Sequence, residues 1–322
     1  MNTIEIKIGN RSRNVICPQW NDLDLRTLLA FYQTLFANNG DEYTVSMFTM
    51  VKLIGMTRML LGLSDADLAK WEADCLRESP EEGAKIFADE LRQVIHAALG
   101  GLFDIIEEEG KGTKYRCRLN LTKSPYPSLT HTKKARNGKP GKSTFYYCAA
   151  DGLSNVTLYE LGMLYTLYEN YVATNDIQWA DQLIATLYRP SKPITRQNTD
   201  MGFEGDRRQP LRRYEAKVAE RAELVKMVDP LVKRVILFWF ASCREDIANQ
   251  YPKVFKRSAS ASGKTSEYGW AGVLLRVAGG PAGLDTVADQ HHSNALTWLS
   301  MERDRIEAEE EARKDAARKR RR

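Results

Sequence analysis

Between Asp229 and Phe255 apolar residues occupy nearly every side of the helical period, with Val235-Ile236-Leu237-Phe238-Trp239-Phe240-Ala241 unbroken. Lys233-Arg234 precede this run and Cys243-Arg244-Glu245-Asp246 follow it. It is far shorter than the ~20 residues that a membrane span needs. The pattern therefore predicts a buried helix of a soluble fold, limited by Pro230 and Pro252, with other segments packed around it.

Upstream, Ile4, Ile6 and Ile8 alternate with polar residues, Gly9-Asn10-Arg11 turns, and Arg13 to Ile16 resumes, which predicts a hairpin. Asn21 or Asp22 then caps a helix whose apolar positions Leu25, Leu28, Leu29, Tyr32, Leu35 and Phe36 follow helical spacing. The pattern continues with a Met-rich helix over 45–63, a short one from Ser64 to about Leu76, and a longer one over 81–109 that Gly100-Gly101 breaks or kinks. Tyr115 to Leu121 alternates as a strand, with 145–148 as its apolar partner. The long basic connection between them, rich in Pro and Gly, is either functional or disordered.

The helix at Leu158, Leu161, Leu164 and Tyr165 places its apolar residues as Leu25, Leu28, Phe31 and Tyr32 do, and each helix follows a strand pair and a polar turn. Two related strand-strand-helix modules fit this match, and so does the helical period acting alone. Asn175-Asp176 caps a helix over 177–188, a loop spans 189–210, and a charged amphipathic helix over 211–228 leads into the apolar one. After a Ser/Ala/Gly break come a short helix over 268–278, a turn over 284–288, and a final helix from about Ser293 that is charge and alanine beyond Met301.

The fold class expected is mainly α with small β-hairpins (α+β), a helical bundle around a buried central helix. Three modules are expected: 1–112, with a hairpin and helices; 113–256, with a second hairpin and the central helix; and 257–322, helical with a charged tail.

Composition changes this picture little. Of 322 residues, 43% are apolar, and the net charge of +5 collects largely in the final basic residues, so the body is near neutral. A dedicated nucleic-acid binder carries more basic excess than this. The five cysteines form no CxxC pair and no signal peptide precedes the first strand, which points to free thiols in a reducing cytoplasm.

The search for chemistry yields little. Lys264 and Thr265 stand where a phosphate loop would end, but Ser258 occupies the place of its first glycine, and Arg136 does the same ahead of Gly141-Lys142-Ser143. His96, His131, His291 and His292 show no metal-ligand spacing. Cys148 and Cys243 lie in apolar settings that leave a thiol inert, and acidic runs such as Glu107-Glu108-Glu109 read as solvated helix faces. No catalytic residue, cofactor or metal is expected, and the chain is expected not to be an enzyme.

Four patches carry a resemblance: Trp20-Asn21-Asp22-Leu23; Trp179 with Leu183-Ile184-Ala185-Thr186-Leu187-Tyr188-Arg189; Phe238 to Arg244 with Tyr251 to Phe255; and Tyr268-Gly269-Trp270-Ala271-Gly272. Together they resemble uncharacterised proteins of bacteriophages and prophages encoded among tail genes. The C-terminal part is also similar to the helical tail assembly chaperones that hold the tape measure protein, although the length and N-terminal hairpins depart from that pattern. The resemblance implies a non-enzymatic role in tail morphogenesis through protein–protein contact. The tape measure protein would be the partner, in the host cytoplasm or in the virion, with homo-oligomerisation open and no membrane.

Aromatic anchors dominate interfaces, so Tyr268, Trp270, Leu274 and Trp298 are the candidate partner-binding residues, with core packing as the alternative for each. A second reading uses the basic 122–144 loop and the tail to hold a phosphate backbone. Its candidates are Lys133, Lys134, Arg136, Lys139, Lys142, Arg320 and Arg321.

Overall fold

The computed structural model describes residues 2–8, 11–17, 19–36, 44–45, 65–76, 82–83, 85–86, 100–108, 112–134, 140–192, 206–255 and 269–320. The chain forms two compact units, Met1–Leu121 and Thr122–Arg322. It is mainly helical with small antiparallel sheets, the α+β class expected. No helix of the described residues is long and apolar enough to cross a membrane.

In the first unit, β1 (Asn2–Ile8) and β2 (Arg11–Cys17) form the expected hairpin, in register from Asn2 opposite Cys17 to Ile8 opposite Arg11. A 3-10 turn at Trp20–Asp22 follows, then α1 (Leu25–Phe36). The cap of α1 is Asp24, whose Oδ1 accepts from Thr27 N at 2.7 Å. Asn21 and Asp22 lie too early for that role because they belong to the 3-10 turn, where Asp22 Oδ2 accepts from Gln19 N instead. Trp20 is fully buried and meets Phe31, Tyr32 and Phe103 with ring centroids near 6 Å.

A second sheet takes β3 (Thr44–Val45), β4 (Phe103–Glu108) and β5 (Gly112–Cys117) in the order β3-β5-β4, and α2 spans Asp65–Leu76. Two expectations are corrected here. Phe103–Glu108 is a strand and not the end of a long helix, because Gly100-Gly101 ends any helical run and Ile105-Ile106 then pair with β5. Val45 is in a strand and does not begin a helix; 46–63, the rest of that expected helix, and 87–99 lie outside the described residues.

In the second unit, β6 (Ser128–Lys134) and β7 (Pro140–Tyr147) pair with each other, and β8 (Arg189–Pro190) joins the far side of β7. The strand expected to pair with 115–121 thus pairs inside its own hairpin. A short connection closes at a smaller entropic cost than a long one, and the basic stretch read as a loop supplies both strands. A 3-10 turn at Asp151–Leu153 precedes α3 (Leu158–Thr174) and α4 (Ile177–Leu187). Hairpin, 3-10 turn and helix recur in both units, and Leu28, Phe31 and Tyr32 are buried as Leu161, Leu164 and Tyr165 are, but Leu25 is exposed where its counterpart Leu158 is buried.

Thr157 caps α3, Asn175 closes it in the left-handed region at φ 53°, and Asp176 Oδ1 caps α4 through Gln178 N at 2.9 Å. The charged helix expected over 211–228 is broken by a turn at Glu215-Ala216 into α5 (Leu211–Tyr214) and α6 (Lys217–Val225).

The central helix is α7 (Pro230–Gln250), with Pro230 in its first turn and Asp229 Oδ1 accepting from Leu231 N. Pro252 starts the short α8 (Pro252–Phe255). Every residue from Val235 to Cys243 is buried. Trp239 is fully enclosed, and its indole Nε1 donates to Thr122 O at 2.9 Å. Buried Lys233 pairs with buried Asp181 of α4 at 2.7 Å. The C-terminal helices α9 (Gly269–Val277), α10 (Leu284–Ala288) and α11 (His292–Arg320) belong to this same unit and pack on α3.

Candidate partner-binding site

The C-terminal candidates separate into two groups. Trp270 lies close on α3, where a Cβ built at Gly162 would come within 3.2 Å of Trp270 Cβ, and its ring meets Tyr165 edge-on at 4.9 Å and Phe255 at 6.2 Å. Leu274 packs on the buried cluster of Leu158, Val287 and Ala295. These two side chains fasten α9 to the body of the unit. Tyr268 lies outside the described residues.

Trp298 is placed differently. His292, Ala295, Leu296 and Leu299 are the buried positions of α11, spaced along one stripe, while Asn294, Thr297, Trp298 and Met301 lie on the exposed side. Trp298 is 43% exposed and Met301 66%. One turn apart on a helix, the two share a face. From Glu307 to Lys319 every position of α11 is exposed, and ion pairs between neighbouring turns run along it: Arg305 with Glu302 at 2.6 Å and Glu309 at 3.2 Å, and Arg318 with Asp315. Lys253 of α8 pairs with Asp304. At 29 residues the helix is roughly 43 Å long by its rise, and only its first third is buried.

The start of α11 is held to the start of α3. Val156 O accepts from both His292 N at 3.3 Å and His292 Nδ1 at 2.8 Å, and Leu158 N donates to Gln290 O. Since a carbonyl can only accept, Nδ1 carries the proton. Burial, and then the neighbouring His291, hold the His292 imidazole below its ordinary pKa, and the backbone bond to Val156 only partly offsets them.

Of the basic candidates, Lys133 and Lys134 stand on β6 and Lys142 on β7, whose register runs Thr132 opposite Ser143 and Lys134 opposite Pro140. Arg320 is the last residue of α11. Arg136, Lys139 and Arg321 lie outside the described residues.

A buried ionic network escaped the sequence reading. Glu160, in the first turn of α3, takes Arg189 Nη1 of β8 on Oε1 at 2.6 Å and Arg208 Nη2 on Oε2 at 3.4 Å. Arg208 is brought there by a bridge between its own backbone and Ser191. It binds Asp206 through Nε at 2.9 Å and Nη2 at 3.0 Å, and donates to Leu187 O and Asn155 O. Burial raises the Asp206 carboxyl, yet the Arg208 guanidinium outweighs it and holds the group below its usual range. For Arg189, burial and then the Arg208 cation lower the pKa. The signal available in the sequence was two arginines among Leu187-Tyr188, Pro190 and Pro210 in a stretch otherwise read as loop.

Cys117 and Cys148 are buried, and burial pushes their thiols up to about 12 and about 11. Cys243 is raised by the same cause, so all three stay protonated at neutral pH. Among the described residues no group of three His, Cys, Asp or Glu side chains is arranged to hold a metal ion. No protein family, curated protein or solved structure matches the chain.

Proposed function

We propose that the chain acts by protein–protein contact, as a non-catalytic component of phage tail assembly, with α11 as the contacting element and the tape measure protein of the same phage as partner. One observation carries this reading: the exposed Trp298–Met301 pair on a helix whose opposite face is buried. An aromatic residue held on a rigid helix loses little entropy on docking and contributes a large apolar area.

The mode is helix against helix. Trp298 and Met301 enter an apolar seam of a partner helix, and the charges from Glu302 to Glu309 set the register along it. The body of the second unit supplies rigidity through α7 and through the aromatic packing of Trp270. Assembly takes place in the host cytoplasm, where the tape measure protein is made. The resemblance of the Trp20, Trp179, Phe238 and Tyr268 patches to tail-cluster proteins supports the setting, and α11 supports the mechanism.

Co-expression with the tape measure protein tests the proposal. The expected result is a complex that survives high salt. Retention on duplex DNA that falls steeply with salt and is lost in the K133E/K134E/K142E variant, with no tape measure complex, would replace this reading with the nucleic-acid one.

A further inference from the structure

Between the β6–β7 hairpin and helices α4 and α6 lies a pocket of about 490 Å3, counting the space open to solvent at its mouth. Leu129, Leu224 and Val228 make its wall largely apolar, and Thr130, His131 and Tyr146 add polar groups. One charged side chain joins this wall: Arg221, which is only 6% exposed.

Arg221 Nε donates to Ala185 O at 3.0 Å. Nη2 is buried with no hydrogen-bond partner. A guanidinium offers five N–H donors, and Nε makes the one hydrogen bond found for Arg221 among the described residues. The nearby ionic network gives no relief. Glu160 and Asp206 are taken by Arg189 and Arg208, and the Arg189 cation acts against Arg221. Burial first, and then that cation, bring the Arg221 pKa down to about 10, with Tyr146 and exposed Glu220 acting the other way. The side chain is therefore still charged at neutral pH. A buried cation with open donors, set in an apolar wall, is a costly arrangement that an anion relieves.

We propose that this pocket binds an organic carboxylate, its apolar body against Leu129, Leu224 and Val228 and its carboxylate on the Arg221 guanidinium, with the Tyr146 hydroxyl as a further donor. The apolar wall favours an acid with a hydrocarbon body over inorganic phosphate, whose oxygens would leave that wall uncovered. The same chemistry is carried by a free aliphatic acid and by a protein C-terminus ending in an apolar residue.

Calorimetric titration of the full chain separates these sources and tests the site. Hexanoate is expected to bind at millimolar concentrations and hexanamide about 10-fold or more weakly, as loss of a charge-assisted hydrogen bond implies. A peptide ending in a free leucine carboxylate that outbinds hexanoate, and loses binding when amidated, assigns the site to a protein C-terminus; the reverse order assigns it to a free acid. R221M should abolish the preference for hexanoate over hexanamide. Because R221M also removes the bond to Ala185, M227E provides a second variant at an exposed position of the pocket wall; it should weaken hexanoate and leave hexanamide unchanged. Equal binding of acid and amide, no binding of hexanoate, or hexanoate binding unaffected by both variants would overturn the assignment.

Discussion

Arg189 Nη1 lies 2.6 Å from Glu160 Oε1, with both side chains withdrawn from solvent, and this contact ties β8 to the first turn of α3. Glu160 also meets Arg208, so a single carboxylate balances parts of two buried guanidiniums. Removing it leaves both cations short of a counter-charge in a medium that solvates them poorly. Glu160→Ala is therefore expected to destabilise the second unit by ~3–5 kcal/mol, read as a lower denaturation midpoint. Stability unchanged to within the error of the midpoint would mean that the network is not buried as described.

Trp239 is expected to behave as the keystone of the α7 core. It is fully enclosed and its Nε1 donates to Thr122 O. Trp239→Ala should cost ~3–5 kcal/mol through the cavity and the lost indole hydrogen bond, while Thr122 O keeps its bond from Gly152 N at 2.8 Å. Trp239→Phe should cost less, since it keeps most of the packing. Thermal unfolding of both variants checks the order, and an Ala variant as stable as the native chain would contradict a buried α7.

Not all of this was legible in the sequence. The apolar run in α7, its prolines, and the Asn175-Asp176 junction are local signals, and each marks its element within a residue or two. Strand partners are not local. Nothing in Tyr115 to Cys117 says that its neighbours are Val45 and Ile105 and not Tyr146, because pairing depends on which loop closes first and on what covers the edge. The Phe103–Glu108 strand was hidden in the same way, since Phe103, Ile105 and Ile106 fit a helical period about as well as a strand. Of the C-terminal anchors, the sequence grouped Trp270 with Trp298 as aromatic anchors of one module; only packing shows that one faces α3 and the other faces solvent. The arginine network was unreadable for a simpler reason. Glu160, Arg189 and Arg208 are well separated in sequence and carry no spacing rule, and burial of a charge is visible only in three dimensions.

His292 makes stability depend on pH near neutrality. Its folded pKa is depressed by burial, so the unfolded chain binds the proton more readily. The contribution is complete above the ordinary histidine value of about 6.5 and is lost as pH falls below it toward the depressed value. His292→Asn keeps a donor for Val156 O and cannot titrate in this range. The stability difference between native and variant chains, measured by chemical denaturation, should therefore shift in favour of the variant as pH drops below about 6.5. Asp206, also depressed, acts in the same direction at lower pH, and it cancels in that difference. A pH-independent difference would contradict a buried neutral imidazole.

The most direct test of the contact role is the Trp298→Glu/Met301→Glu double variant, titrated against the tape measure protein at physiological and at high salt. Both positions are exposed, so the variant should unfold at the native temperature. Its affinity should fall by about 30-fold or more, as expected when an aromatic anchor is lost, while the native complex persists at both salt concentrations. An unchanged affinity in the variant, with its fold intact, would contradict α11 as the contacting element.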